Sequence, residues 1–156
     1  MTLTKVHQMI GIKMRPKQLI IYLLKTDNKS FKKEFKEHET LNTLPTDKLI
    51  SMLKGEVKDI DQNVEDAIGD LSMSLYDITI DDLECKNFTH DVKSHDYIVV
   101  GKLFNTIDLD SGTNTIKAKD FDLKKIHREV KAAVEKVGFT QKVKMYAIQD
   151  DCTCCS

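Results

Sequence analysis

Three of the four cysteines, Cys152, Cys154 and Cys155, fall within the last five residues, and Cys85 is the fourth. Thiolates are soft metal ligands. A Cys-x-Cys-Cys run offers three of them at short range, enough for Cu(I), or for Zn if Cys85 or a second chain supplies the fourth. Core packing does not explain such a cluster, because a chain terminus is normally exposed. The adjacent Asp150 and Asp151 disfavour the thiolate form and so argue against spontaneous reactivity, an effect that a bound metal would reverse; a tail with no dedicated role is the plain alternative. Covalent modification of the tail, by lipidation or peptide processing, is the other chemistry open to it.

The second group with chemical potential is acidic. Residues 55–96 hold three Lys against twelve Asp or Glu, whereas residues 1–40 hold nine Lys or Arg against four Asp or Glu. This polarity is hidden by a net charge of −1. Asp59, Asp61, Glu65 and Asp66 make the densest part of the acidic stretch and are the expected contact for a basic protein partner. Only Arg15 and Arg128 carry a guanidinium fork, against 22 Lys, so specific reading of nucleic acid is not expected. Cys85, His90, Asp91, His95 and Asp96 are all of ligand type, but their spacing matches no metal motif.

Residues 107–113 (IDLDSGT) resemble the first motif of haloacid-dehalogenase-type phosphatases, although Ser111 is inserted ahead of the glycine. They also look like the first phosphate loop of the actin and sugar-kinase superfamily, with Asp110 where that loop has a glycine. The plainer reading is a hairpin tip, Asp110-Ser111-Gly112, between strands at 97–109 and 113–118. Thr153-Cys154-Cys155-Ser156 looks like the double-cysteine ending that Rab-type GTPases use for prenylation, but no nucleotide loop precedes it. Gly-x-Ser-x-Gly and His-Glu-x-x-His are absent as well. The chain therefore reads as a non-enzymatic binding protein, with the thiol tail as the rival centre of function.

These groups must be positioned by a small set of elements. Leu123, Ile126, Val130, Ala133, Val134 and Val137 recur at helical spacing, which predicts an amphipathic helix over 120–138, capped by Asp120 and closed by Gly138. Flanking it, 97–104 and 143–148 read as strands. Leu49, Leu53, Val57, Ile60, Val64, Ala67, Leu71 and Leu75 predict a helix over 46–76. Unbroken, it would be roughly 46 Å long, against about 40 Å for a compact domain of this length. It must break at Gly55 or Gly69, or else project as an arm that could make a homodimer contact. The run 17–24 reads as a strand, 30–38 as a short helix or exposed strand, 76–80 as a strand, and 1–14 as a short helix with an extended lead-in.

The expected fold class is α+β: a single domain with an antiparallel or mixed sheet, the 120–138 helix packed on one face, and the long or broken 46–76 helix beside it. Residues 1–150 form the expected globular domain and 151–156 a Cys-rich tail. No apolar run is long enough for a transmembrane segment and no secretory signal is visible, so the expected location is cytoplasmic and the cysteines are expected to be reduced. Abundant Lys, Asn, Asp and Ile with no Trp suit an AT-rich genome, such as that of a virus, a phage or a low-GC bacterium.

Overall fold

A computed structural model describes residues 3–88, 97–108 and 122–152. The sheet is organised on β1 (Leu3–Met14), which pairs antiparallel with β4 (Tyr97–Asp108) on one side and β5 (Lys144–Cys152) on the other. β2 (Thr79–Ile80) and β3 (Leu83–Phe88) extend the sheet past β4. Among the described residues the strand order is β2-β3-β4-β1-β5, with every pairing antiparallel. Alternation along β1 sends Ile10, Ile12 and Met14 into the main core and Met9 into a smaller cluster with Val99 and Ile148. The two clusters lie on opposite faces, which explains why Ile98, Val99 and Val100 are all buried in succession.

Six helices lie in the described chain: α1 (Pro16–Leu24), α2 (Lys29–Phe35), α3 (Glu39–Asn42), α4 (Thr46–Leu53), α5 (Gln62–Ser74) and α6 (Leu123–Val137). They close the main core, to which α1 contributes Leu19, Ile20 and Leu23 and α6 contributes Val130 and Val134. The mixed α and β composition and the antiparallel sheet agree with the fold class read from the sequence.

Several local expectations are corrected. Residues 17–24 are helix, not strand. Pro16 takes the first helical position, Arg15 N–H donates to Gln18 Oε1 (3.2 Å), and the run is apolar all round because buried and half-buried positions alternate around the cylinder. Residues 3–14 are strand rather than a short helix, and Gly11 stands opposite Gly101 in the ladder. Of the 76–80 strand only Thr79 and Ile80 pair; Leu75–Asp77 is a 3-10 turn.

The 46–76 helix is two helices. α4 ends at Leu53, Gly55 follows at φ +79°, and α5 begins only after the Asp61 cap. Gly69 lies inside α5 and breaks nothing. With no continuous rod, the projecting arm that suggested a homodimer contact is gone.

The C-terminal helix begins three residues later than expected. Asp122, not Asp120, is its cap, accepting a hydrogen bond from Lys125 N–H (3.1 Å). Gly138 closes it at φ +89°, and Phe139 N–H reaches back to the Val134 carbonyl (3.1 Å). Phe139 then packs on Tyr22 with ring centroids 4.6 Å apart, joining α6 to α1. Residues 109–121, which include Asp120, the hairpin tip and its second strand, lie outside the described residues.

Candidate protein-interaction site

The acidic residues singled out by sequence come together on and just before α5. Val64, Ala67, Ile68, Leu71 and Leu75 turn this segment's apolar stripe inward. Glu65, Asp66, Gly69, Asp70 and Met73 therefore share the outer face, and all are exposed. Asp59 is exposed in the preceding loop. Asp61 has a structural duty: its carboxylate caps α5 by accepting from Asn63 N–H (3.0 Å), where a negative charge also complements the helix dipole. Asp66 accepts from Gln62 Nε2 (2.9 Å), one turn away.

The ion pairs among the described residues are Lys32–Asp27, His38–Glu34, Lys102–Glu129, Lys125–Glu129 and Lys136–Asp81. None draws on Asp59, Asp61, Glu65, Asp66 or Asp70. Tyr76, just beyond α5, is 53% exposed.

A second surface has the opposite sign and was missed in the sequence. α6 lies over β1 and β4, leaving a cleft between its outer flank and the edge strand β5. One part of the cleft, about 510 Å³, is lined by Ile10, Leu123, Lys124, His127, Arg128 and Met145. The adjoining part, about 460 Å³, also touches His127 and includes Lys131, Glu135, Phe139 and Lys142. Both volumes are in the range of binding clefts. Leu123 and Met145 are 37% and 54% exposed, so the walls offer apolar surface to an incoming group.

The two flanks of α6 differ in how their charges are used. On the flank away from the cleft, Lys102 Nζ lies 2.6 Å from Glu129 Oε2, Lys125 lies 4.0 Å from the same carboxylate, and Lys136 lies 3.4 Å from Asp81. The hydrogen bond and charge of Lys102 hold the Glu129 carboxyl below its usual range, with smaller help from Lys125 and Arg128. On the cleft flank, Lys124, Arg128 and Lys131 take part in none of the described ion pairs. They recur at i, i+4 and i+7, a spacing visible in the sequence, but the strand that turns the row into a cleft is far away along the chain.

The thiols are separated by the sheet. Cys85 on β3 is fully buried in the main core. It pairs with Val100, which pairs with Ile12, whereas Cys152 pairs with Leu3. Nine residues of β1 therefore divide the two positions, roughly 30 Å at the strand rise. β5 runs through Asp151 and Cys152, taking in the first two residues assigned to the tail. Cys154 and Cys155 lie outside the described residues, as do His90, Asp91, His95 and Asp96. Among the described residues no three His, Cys, Asp or Glu side chains converge as a metal site would require, and no helix is long and apolar enough to cross a membrane.

No known protein family matches this chain, and neither a curated protein nor a solved structure is significantly similar to it, so the functional argument stands on its own surfaces.

Proposed function

We propose that the chain is a protein-binding module that does no catalysis itself and meets a basic partner through the outer face of α5. The observation that carries this is a helical face of exposed carboxylates that take part in no ion pair among the described residues, ending at the exposed Tyr76 ring. Charge of this kind steers association, and an aromatic side chain at its edge supplies contact area at low entropic cost.

The test uses a synthetic amphipathic Lys/Leu helical peptide as probe, titrated against the full chain. Reversal at Asp59, Glu65 and Asp66 to Lys is expected to weaken binding by roughly tenfold or more, about 1.4 kcal/mol, while Asp61 is changed only to Asn so that the cap survives. Equal affinity for wild type and the reversed chain would sink the reading. The rival centre is the tail, with Cys152, Cys154 and Cys155 binding a soft metal or carrying a modification. Truncation after Asp151 leaves peptide binding unchanged on the α5 reading and abolishes function on the tail reading.

A further inference from the structure

The cleft beside α6 and the outer face of α5 are complementary in three respects. The first is charge. Lys124, Arg128 and Lys131 form a row about 10 Å long at 1.5 Å per residue, and Asp61, Glu65, Asp66 and Asp70 form one of about 13 Å. Three cations can therefore stand opposite successive carboxylates without either helix bending. The second is apolar surface. Leu123, at the start of α6, and Met145 on β5 are exposed at one end of the cationic row; Met73 and Tyr76 are 51% and 53% exposed at the C-terminal end of the acidic row. An antiparallel approach of α5 to α6 places apolar on apolar as well as charge on charge, whereas a parallel approach matches the charged rows but leaves the apolar ends apart. The third is relief. Gly69 lies on the outer face with nothing within 4 Å of a Cβ built on it, so the fold itself does not require glycine there. A glycine inside a helix costs about 1 kcal/mol relative to alanine, and here it leaves a bare stretch of backbone between Asp66 and Asp70 against which a second helix can lie closely.

We infer that the α6–β5 cleft receives the outer face of α5 from a second copy of this chain, joining copies head to tail. The inference rests on the reading of α5 as a contact face and supplies its partner. Donor and acceptor are different surfaces of one molecule, so the contact is heterologous and leaves a free donor and a free acceptor at the two ends of any assembly that does not close into a ring. A net charge of −1 means that copies do not repel one another overall. Glu135, at the far end of the cleft, is the one carboxylate among its described lining residues, and it limits the acceptor row to the stretch ending at Lys131.

The experiment is sedimentation velocity on the full chain over a hundredfold range of concentration, at low and high salt. The expected result is a weight-average mass that rises above the 17.9 kDa of one chain as concentration rises, and falls back in high salt. Glu65→Lys/Asp66→Lys/Asp70→Lys leaves a chain with two basic surfaces, and Lys124→Glu/Arg128→Glu/Lys131→Glu one with two acidic surfaces. Each is expected to sediment as a monomer, and an equimolar mixture is expected to associate again. The milder Asp66→Asn and Lys131→Gln, which leave the packing untouched, are expected to weaken association in the same direction. A wild type that stays at 17.9 kDa throughout, reversed variants that associate like wild type, or a mixture that stays monomeric each overturns the inference. Lys124→Gln/Arg128→Gln/Lys131→Gln removes the cationic row without creating a second acidic face and keeps α5 intact, so its binding of the Lys/Leu peptide reports on the α5 reading separately.

Discussion

Gly101 stands opposite Gly11 where β4 crosses β1, and the two backbones approach so closely that neither position has room for a side chain. A Cβ on Gly101 would lie 2.1 Å from the Ile10 carbonyl oxygen and 2.6 Å from the Gly11 Cα; one on Gly11 would lie 2.3 Å from the Val100 carbonyl oxygen. The obstacles are backbone atoms in the middle of the sheet, so no rotamer change relieves them. Gly101→Ala must separate the strands by roughly 1 Å to restore ordinary contact. That movement takes the flanking ladder bonds out of hydrogen-bonding range, at about 0.5–1.5 kcal/mol each. It also displaces Ile10, Ile12 and Val100 from the packed core, where overpacking alone costs about 1–3 kcal/mol.

With two ladder bonds weakened, the loss is about 2–6 kcal/mol, a large part of the 5–15 kcal/mol that keeps a typical domain folded. Urea unfolding followed by far-ultraviolet circular dichroism measures it, with an unchanged denaturant slope showing that the same cooperative unit is being compared. A loss below about 1 kcal/mol for Gly101→Ala would refute the close approach, and with it the register that places Gly11 opposite Gly101. Gly11→Ala should be similarly costly. The double substitution should not cost the sum, because strands already parted by the first methyl accept the second more easily.

The same chemical change on α5 has the opposite expected sign: Gly69→Ala should raise stability by about 0.5–1 kcal/mol in the same assay, since the added methyl meets nothing among the described residues. Asp122→Ala should lower stability by about 1 kcal/mol through loss of the α6 cap, with Asp122→Asn retaining most of it. The Tyr22 hydroxyl is held above its ordinary range by burial and then by the Asp81 charge. The folded state therefore releases that proton later than the unfolded chain does, so the stability it carries is complete below the ordinary tyrosine range and is lost as pH rises through the raised value; Tyr22→Phe should flatten the alkaline limb of a stability–pH curve. Glu129 has the reverse sign. Its carboxyl is held low by Lys102, so its small contribution is present above the ordinary carboxylate range and fades on acidification, and Glu129→Gln should remove that part of the acid dependence.

How much of this was legible in the sequence depended on whether an element buries one side or more. α6 buries Val130 and Val134, packs Ile126, Ala133 and Val137 half-buried beside them and turns its polar residues to water and ion pairs, so its period of 3.6 showed plainly and only its first turn was misplaced. α1 puts Leu19, Ile20 and Leu23 in the core and half-buries Ile21, Tyr22 and Leu24, which erases the period and leaves an apolar run that equally suits a buried strand. β1 misled for a different reason. Gly11 looks like a local break, and only its partner Gly101, ninety residues on, explains it. The acidic face was legible because Glu65, Asp66 and Asp70 are neighbours in the chain, whereas the α6–β5 cleft depends on a strand that the sequence does not place beside the helix.

The polarity of the chain had one ordinary explanation, that its acidic and basic blocks neutralise each other within the fold. The described ion pairs do not use them that way. Lys136 takes Asp81, Lys102 and Lys125 take Glu129, and Lys32 takes Asp27, so each of these pairs spends at most one residue of either block and none from 59–70. Among the described residues no ion pair engages the α5 face or the Lys124, Arg128 and Lys131 row. Keeping both costs little in isolation, because exposed charges are well solvated; their free energy changes appreciably only when the two surfaces meet and exclude water. Salt dependence is thus the discriminating property. A fold that merely tolerates scattered charge loses or gains little between low and high ionic strength, while one that holds two separated, matched rows loses association steeply as salt rises and keeps its folded stability nearly unchanged.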